Sequence, residues 1–178
     1  MAVRRRKIRE LVETLLSEAK TSAAPVPVWD IARQKGARIA VDSLEGDLSG
    51  FLFRDGAQTV IGVNTHHPAV RQNFTVAHEL AHLLLHDQGH EQLHVDRAFP
   101  SVRLRDDESS RGINDAEKEA NLFAAELLMP AAFLRSDLAG HSALDPYDDE
   151  FIPSLAKKYG VSVQALTFRL QYLGFIKG

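Results

Sequence analysis

The sequence predicts an α+β protein: a small three-stranded sheet packed on helices, followed by a helix-turn-helix-like pair at the C-terminus. Three observations carry this. Apolar residues recur at helical spacing in several separated stretches, three short β-prone runs lie together between residues 38 and 63, and NFTVAHELAHLLLH (73–86) is apolar nearly all round. An all-round apolar helix belongs inside a core, not on a surface. At 178 residues, with 44% apolar and 25% charged residues, the chain can build one real core with a small appendage.

The elements follow in order. Ile8, Leu11, Val12, Leu15 and Leu16 give an amphipathic first helix over residues 8–19, and Pro25 and Pro27 break the segment after it. Residues 28–35 form a short second helix closed by a turn at Gly36. Strands are expected at 38–41, 50–54 and 59–63, with Asp55-Gly56 as the hairpin turn between the last two. An exposed edge of this sheet would suit strand addition by an extended peptide. Asn64, His66, His67 and Pro68 then lead into the apolar helix at 73–86. Residues 86–112, including RLRDDESSR, are polar and aperiodic and read as one long loop. Ala116, Ala120, Phe123, Ala124, Leu127 and Leu128 mark a helix over 114–129, ended by Pro130. After a linker near 145–150, residues 152–176 carry two short helices around Gly160, the second lined by Val163, Leu166, Leu170 and Leu173. The expected division is therefore 1–144 and 145–178.

The chemistry sits in the apolar helix. His78, Glu79 and His82 make the H-E-x-x-H pattern of zinc peptidases. One helical turn separates the two histidines, so both imidazoles reach one tetrahedral ion, and Glu79 stands beside them where a carboxylate can hold a water. Two imidazoles and a carboxylate are costly inside an apolar helix unless each has a partner, and a divalent ion serves all three. The chain has no cysteine, so any ligand must be His, Asp or Glu.

A catalytic zinc takes three protein ligands. His86 would lie about 12 Å along the axis from His78, too far for bonds of about 2.0 Å, so it is expected as a helix C-terminal residue favoured by the macrodipole. His90 and His94 are expected in the loop, and Gln88 occupies the place where extended zincins have a third histidine. The third ligand is instead sought in EKEANLFAAELLMP. Glu117 shares a face with Ala120 and Ala124, whereas Glu119 and Glu126 rotate toward the flank of Phe123. Asn121, one turn after Glu117, can bond the far nitrogen of a ligand histidine. Candidates to steady the developing oxyanion are Tyr147, His66, His67 and His86.

A net charge of −3 provides no general attraction to nucleic acid, and the cluster Arg4, Arg5, Arg6, Lys7 and Arg9 reads as a solvated helix end. No apolar run approaches the length of a membrane span and no signal core follows the basic start, so a cytoplasmic protein is expected.

FTVAHELAHLLLH and EKEANLFAAELLMP, in this order and separation, and more loosely LAKKYGVSVQALTFRLQYLG, give a chain that resembles the ImmA/IrrE family of zinc metallopeptidases. The resemblance implies a zincin-like, gluzincin-type core with His78, His82 and Glu117 on Zn2+, Glu79 as general base and Asn121 behind a ligand. Mn2+ can also occupy such an N,N,O site. It further implies an antirepressor that cleaves a helix-turn-helix repressor of the Xre type. Radiation-responsive members carry an added C-terminal sensor domain that this sequence, ending at Gly178, lacks, which favours a short antirepressor or toxin-antitoxin-linked form. Two rivals remain: a zinc-stabilised DNA-binding regulator reading a groove through Gln164, Thr167, Arg169 and Gln171, and a scaffold that sequesters a repressor without cutting it.

Overall fold

The computed structural model describes residues 3–56, 58–86, 92–97, 111–140 and 149–176. Helix α1 (Arg5–Glu18) buries Ile8, Val12, Leu15 and Leu16, as their spacing predicts, and α2 (Val28–Gln34) buries Val28, Ile31 and Ala32. Strands β1 (Ala37–Asp42), β2 (Leu48–Asp55) and β3 (Gln58–Asn64) follow, with Gly56 at φ +39° in the β2–β3 turn.

The sheet has four strands, not three. A further strand, β4 (Gln92–Arg97), pairs antiparallel with β2, and the order is β1-β3-β2-β4 with β1 parallel to β3. Residues 92–97 are therefore not loop as expected. The signal was inverted: Leu93 and Val95 point outward and are exposed, while the polar His94 between them is the half-buried one. Alternation in that sense does not advertise a half-buried strand, and only the ladder to β2 reveals it. Of the remainder of the expected loop, residues 87–91 and 98–110, with Gln88 and His90, lie outside the described residues, as do Tyr147 and residues 145–148 of the linker, while residues 111–112 are already helical.

Helix α3 (Ala69–Leu85) begins directly after Pro68, four residues before the expected start, because proline with its fixed φ suits a helix entry whatever the apolar period does. It lies hard against β2. A Cβ on Gly50 would stand 2.4 Å from the methyl of Thr75 on α3, so glycine at 50 is what lets helix and strand approach. Helix α4 (Arg111–Leu128) packs along α3 through Ala120, Phe123, Ala124 and Leu127, all fully buried. Pro130 ends it and opens a short α5 (Ala131–Asp137).

The C-terminal helices α6 (Phe151–Tyr159) and α7 (Val163–Tyr172) are joined through Gly160 at φ +65°, and the hydroxyl of Ser162 caps α7 by accepting from Ala165 N–H. Leu155, Ala156, Leu166 and Leu170 enter the same apolar cluster as Ile8, Ile31, Leu80 and Phe123. Polar ties reinforce this. Trp29 Nε1 donates to Asn73 Oδ1 at 2.8 Å, and Asn73 Nδ2 donates to the Gly160 carbonyl at 3.0 Å. The guanidinium of Arg169 donates to both oxygens of Glu126, at 3.0 and 2.7 Å, and to the Met129 carbonyl at 3.1 Å. Arg169 is buried, so this residue, expected among the polar readers of a groove, instead satisfies the end of α4. Glu126 is its buried partner.

Candidate metal centre

Three side chains converge where α3 and α4 cross. Because residues 75–83 of α3 are buried on every side, His78 and His82 have nowhere to point but into the protein, and the i, i+4 spacing sets their rings edge to face with Nε2 atoms 3.1 Å apart. Small residues on the facing stripe of α4, Ala120 and Ala124, bring Glu117 within reach: Oε2 is 3.2 Å from His78 Nε2, and Oε1 is 3.3 Å from His82 Nε2. His78, His82 and Glu117 are thus the candidate ligand group, as the sequence predicts.

The donor triangle fits a metal. Ligands about 2.0–2.1 Å from a tetrahedral ion stand about 3.3 Å from one another; here the two Nε2 atoms are 3.1 Å apart and Glu117 faces each of them with a different oxygen, at 3.2 and 3.3 Å. Two borderline nitrogens and one carboxylate oxygen suit Zn2+ and also accept Mn2+. The second ring nitrogen of His78 lies 3.2 Å from Asn121 Oδ1, which accepts its proton and leaves Nε2 with a lone pair toward the triangle. Asn121 thus takes the place expected of it. Burial holds His82 below the ordinary histidine range, its contact with Glu117 opposing only in part. Burial alone would raise Glu117, but the facing imidazoles of His78, His82 and His94 outweigh it and hold the carboxyl well below its ordinary range.

Glu79 is fully buried beside this triangle. Its Oε2 accepts from His94 Nδ1 at 3.2 Å, and its Oε1 has no hydrogen-bond partner among the described residues. A buried carboxylate oxygen left unsatisfied is costly in a structural role and useful in a chemical one.

Two groups escaped the sequence reading. His94, expected in a loop, projects from β4 into the site, stacks on His82 with ring centroids 3.8 Å apart, and donates to Glu117 Oε1 at 3.0 Å as well as to Glu79. Burial pulls its pKa down, but the two carboxylates dominate and raise it to about 10. The second group lies behind His82, whose Nδ1 is 3.2 Å from His86 Nδ1, while His86 Nε2 meets Glu119 Oε2 at 3.0 Å. Glu119 is in turn buried and bound by Arg4. Glu119, rotated away from Glu117, thus meets Arg4 and His86, and Arg4 is not part of a solvated helix end. His86 does close α3 as expected, and its recurrence four residues after His82 was the available signal. The oxyanion candidate His66 lies on the surface against Ser43 Oγ at 3.2 Å.

Comparison with known proteins agrees with this geometry. The Peptidase_M78 family, described as an IrrE N-terminal-like domain, matches residues 32–171. An uncharacterized immunity region protein 2 of Bacillus phage phi105 is 27% identical over 123 residues, which is 69% of this chain and 68% of the phage protein. A solved structure described as a Mycobacterium tuberculosis transcriptional regulator superposes with a TM-score of 0.61 at 17% identity, covering 93% of this chain. The present chain spans 46% of that regulator's length.

Proposed function

Because this chain belongs to the Peptidase_M78, or ImmA/IrrE, family of metallopeptidases, we propose that it is a zinc-dependent endopeptidase that cuts a helix-turn-helix repressor of the Xre type and so acts as an antirepressor in the cytoplasm. The observation that carries this is the donor triangle of His78, His82 and Glu117 with the half-satisfied Glu79 carboxylate beside it. The phage relative's name places that protein in an immunity region, and this supports the reading of a regulatory protein as substrate. No helix among the described residues is long and apolar enough to cross a membrane. Residues 1–144 then form the zincin-like core, and 145–178 a helix-turn-helix-like segment seated on it.

His78, His82 and Glu117 would hold a divalent ion, which would supply Lewis acidity toward a scissile carbonyl and a water. The chain's own residues do the rest. Asn121 holds the His78 ring in the orientation that presents Nε2. Glu79 takes the proton of the attacking water on Oε1 and passes it to the nitrogen of the leaving amine, so the C–N bond breaks as the acid forms. His94 carries hydrogens on both ring nitrogens, since both face carboxylates, and so steadies Glu79 and Glu117 together. β4, which carries His94, pairs with β2 on one side, and an extended substrate strand would add at its other edge.

A DNA-reading role for α7 is weakened by the burial of Arg169 and by the net charge of −3. The direct test is incubation with an Xre-type repressor, with and without a chelator, followed by mass spectrometry. Chelator-sensitive fragments are expected. An intact repressor held in a stable complex would replace peptidase with sequestering scaffold.

A further inference from the structure

We propose that Arg71, Ser49 and Thr75 form a carboxylate-binding site that takes an acidic side chain of the peptide substrate about three residues from the bond to be cut. That the ligand is a peptide rests on the peptidase reading above. The site itself does not, because none of its three residues is a candidate ligand or the proposed base.

The strand delivers one half of the site. Along β2 the alternation that turns Leu52 and Gly50 toward α3 would send Ser49 to the outer face, yet Ser49 is 1% exposed. The ladder explains this: Leu48 pairs with Arg97 and Gly50 with Asp96, so Ser49 is the extra residue of a β-bulge, which re-aims its side chain toward the helix. There its Oγ accepts from Arg71 Nη2 at 2.9 Å. A serine holds the guanidinium without neutralising it. No carboxylate among the described residues pairs with Arg71, and its buried Nε has no hydrogen-bond partner among them. Arg71 also stands in the first turn of α3, where a cation adds to the positive end of the helix dipole instead of opposing it.

The helix delivers the other half. Arg71, Thr75 and Glu79 recur at intervals of four and so share one face of α3. Thr75 is 1% exposed and its Oγ1, like Glu79 Oε1, has no hydrogen-bond partner among the described residues, while its methyl faces Gly50, the neighbour of Ser49. A charged N–H and a hydroxyl, both buried and both free to donate, thus lie on one helix face, and each costs free energy until something accepts from it. Water satisfies the hydroxyl but leaves the charge. A carboxylate accepts from both and cancels it. The spacing ties this site to the metal centre. Seven residues of α3 separate Arg71 from His78, a rise of about 10 Å. Three residues of β2 separate Ser49 from Leu52, whose cross-strand partner is His94, again about 10 Å. Three residues of extended peptide span the same length.

The test uses the full chain with zinc, as wild type, Arg71→Gln and Thr75→Val. Binding is read by fluorescence anisotropy on a Glu79→Gln background with short labelled alanine–serine peptides in which one glutamate is walked along the sequence, each beside its glutamine twin. At one or two positions the glutamate peptide is expected to bind about 10–100-fold tighter than its twin, the range for hydrogen bonds to a charged group. Arg71→Gln should erase that preference, and Thr75→Val should reduce it about three- to tenfold. Thr75→Val removes a hydroxyl that bonds nothing among the described residues, so it should fold as well as wild type and decides the matter if Arg71→Gln does not fold. No preference at any position, or a preference that survives both substitutions, overturns the proposal. Thermal melts in acetate and in phosphate, against chloride at equal ionic strength, form a second arm. Stabilisation by these free anions that Arg71→Gln abolishes, without any peptide preference, would assign the site to a free anion and overturn its role toward substrate. Chelator-sensitive cutting of a proteome-derived peptide library by the wild type tests the peptidase reading separately. If nothing is cut, that reading falls while the peptide titrations still decide the carboxylate site.

Discussion

Replacing Glu79 by glutamine separates chemistry from metal binding more cleanly than any other single change. The amide keeps the size and shape of the carboxylate in a site with no exposure, so packing is conserved. What disappears is a base. Oε1 of Glu79 has no partner among the described residues and Oε2 only touches His94, so neither oxygen belongs to the triangle of His78, His82 and Glu117. Loss of a positioned general base costs about 10²–10⁴ in rate, or about 2.7–5.4 kcal/mol in the barrier at about 1.36 kcal/mol per decade. Metal affinity should change by less than about tenfold, below the roughly 10–100-fold cost of losing a group that orients a ligand, because Glu79 bonds none of the three ligands directly. The assay is single-turnover cleavage of a repressor substrate, which isolates chemistry from product release, with metal content measured on the same samples after dialysis. Cleavage within tenfold of wild type would remove Glu79 from the mechanism. Loss of metal together with activity would mean that Glu79 is itself a ligand and that the triangle is misdrawn.

Two further outcomes follow from the pairs around the site. Arg169 and Glu126 are both buried and share a two-point contact, so Arg169→Leu or Glu126→Leu alone should lower unfolding free energy by about 3–5 kcal/mol, while the double variant loses much less; equal single and double losses in urea titrations would show that the pair does not interact. Hydrogen bonding and charge from Arg4 lower the Glu119 carboxyl to about 2. A depressed carboxyl contributes stability fully present above its ordinary value near 4.5 and lost as pH falls toward 2, so Glu119→Gln should flatten that part of the stability curve, and an unchanged acid slope would contradict the pairing.

What could be read from residues alone was whatever repeats along one element. The i, i+4 histidines, the apolar wrapping of α3, the alanine face of α4 and the turn at Asp55-Gly56 are local features, and they sufficed for every described helix but α5, for three of the four described strands and for the candidate ligand group His78, His82 and Glu117 with Asn121 behind His78. Tertiary structure decided whatever depends on which surfaces meet. β4 exists because β2 offers an open edge, and with it His94 moves from an expected loop into the site. Glu119 and Glu126 stand on the same helix as Glu117 and differ from it only in rotation, yet each meets a distant arginine, Arg4 from the start of the chain and Arg169 from its end. A helical wheel states the direction a side chain leaves its own helix. It is silent about what comes to meet it, because hydrogen bonds and ion pairs are satisfied across space by partners more than a hundred residues away in one case and about forty in the other.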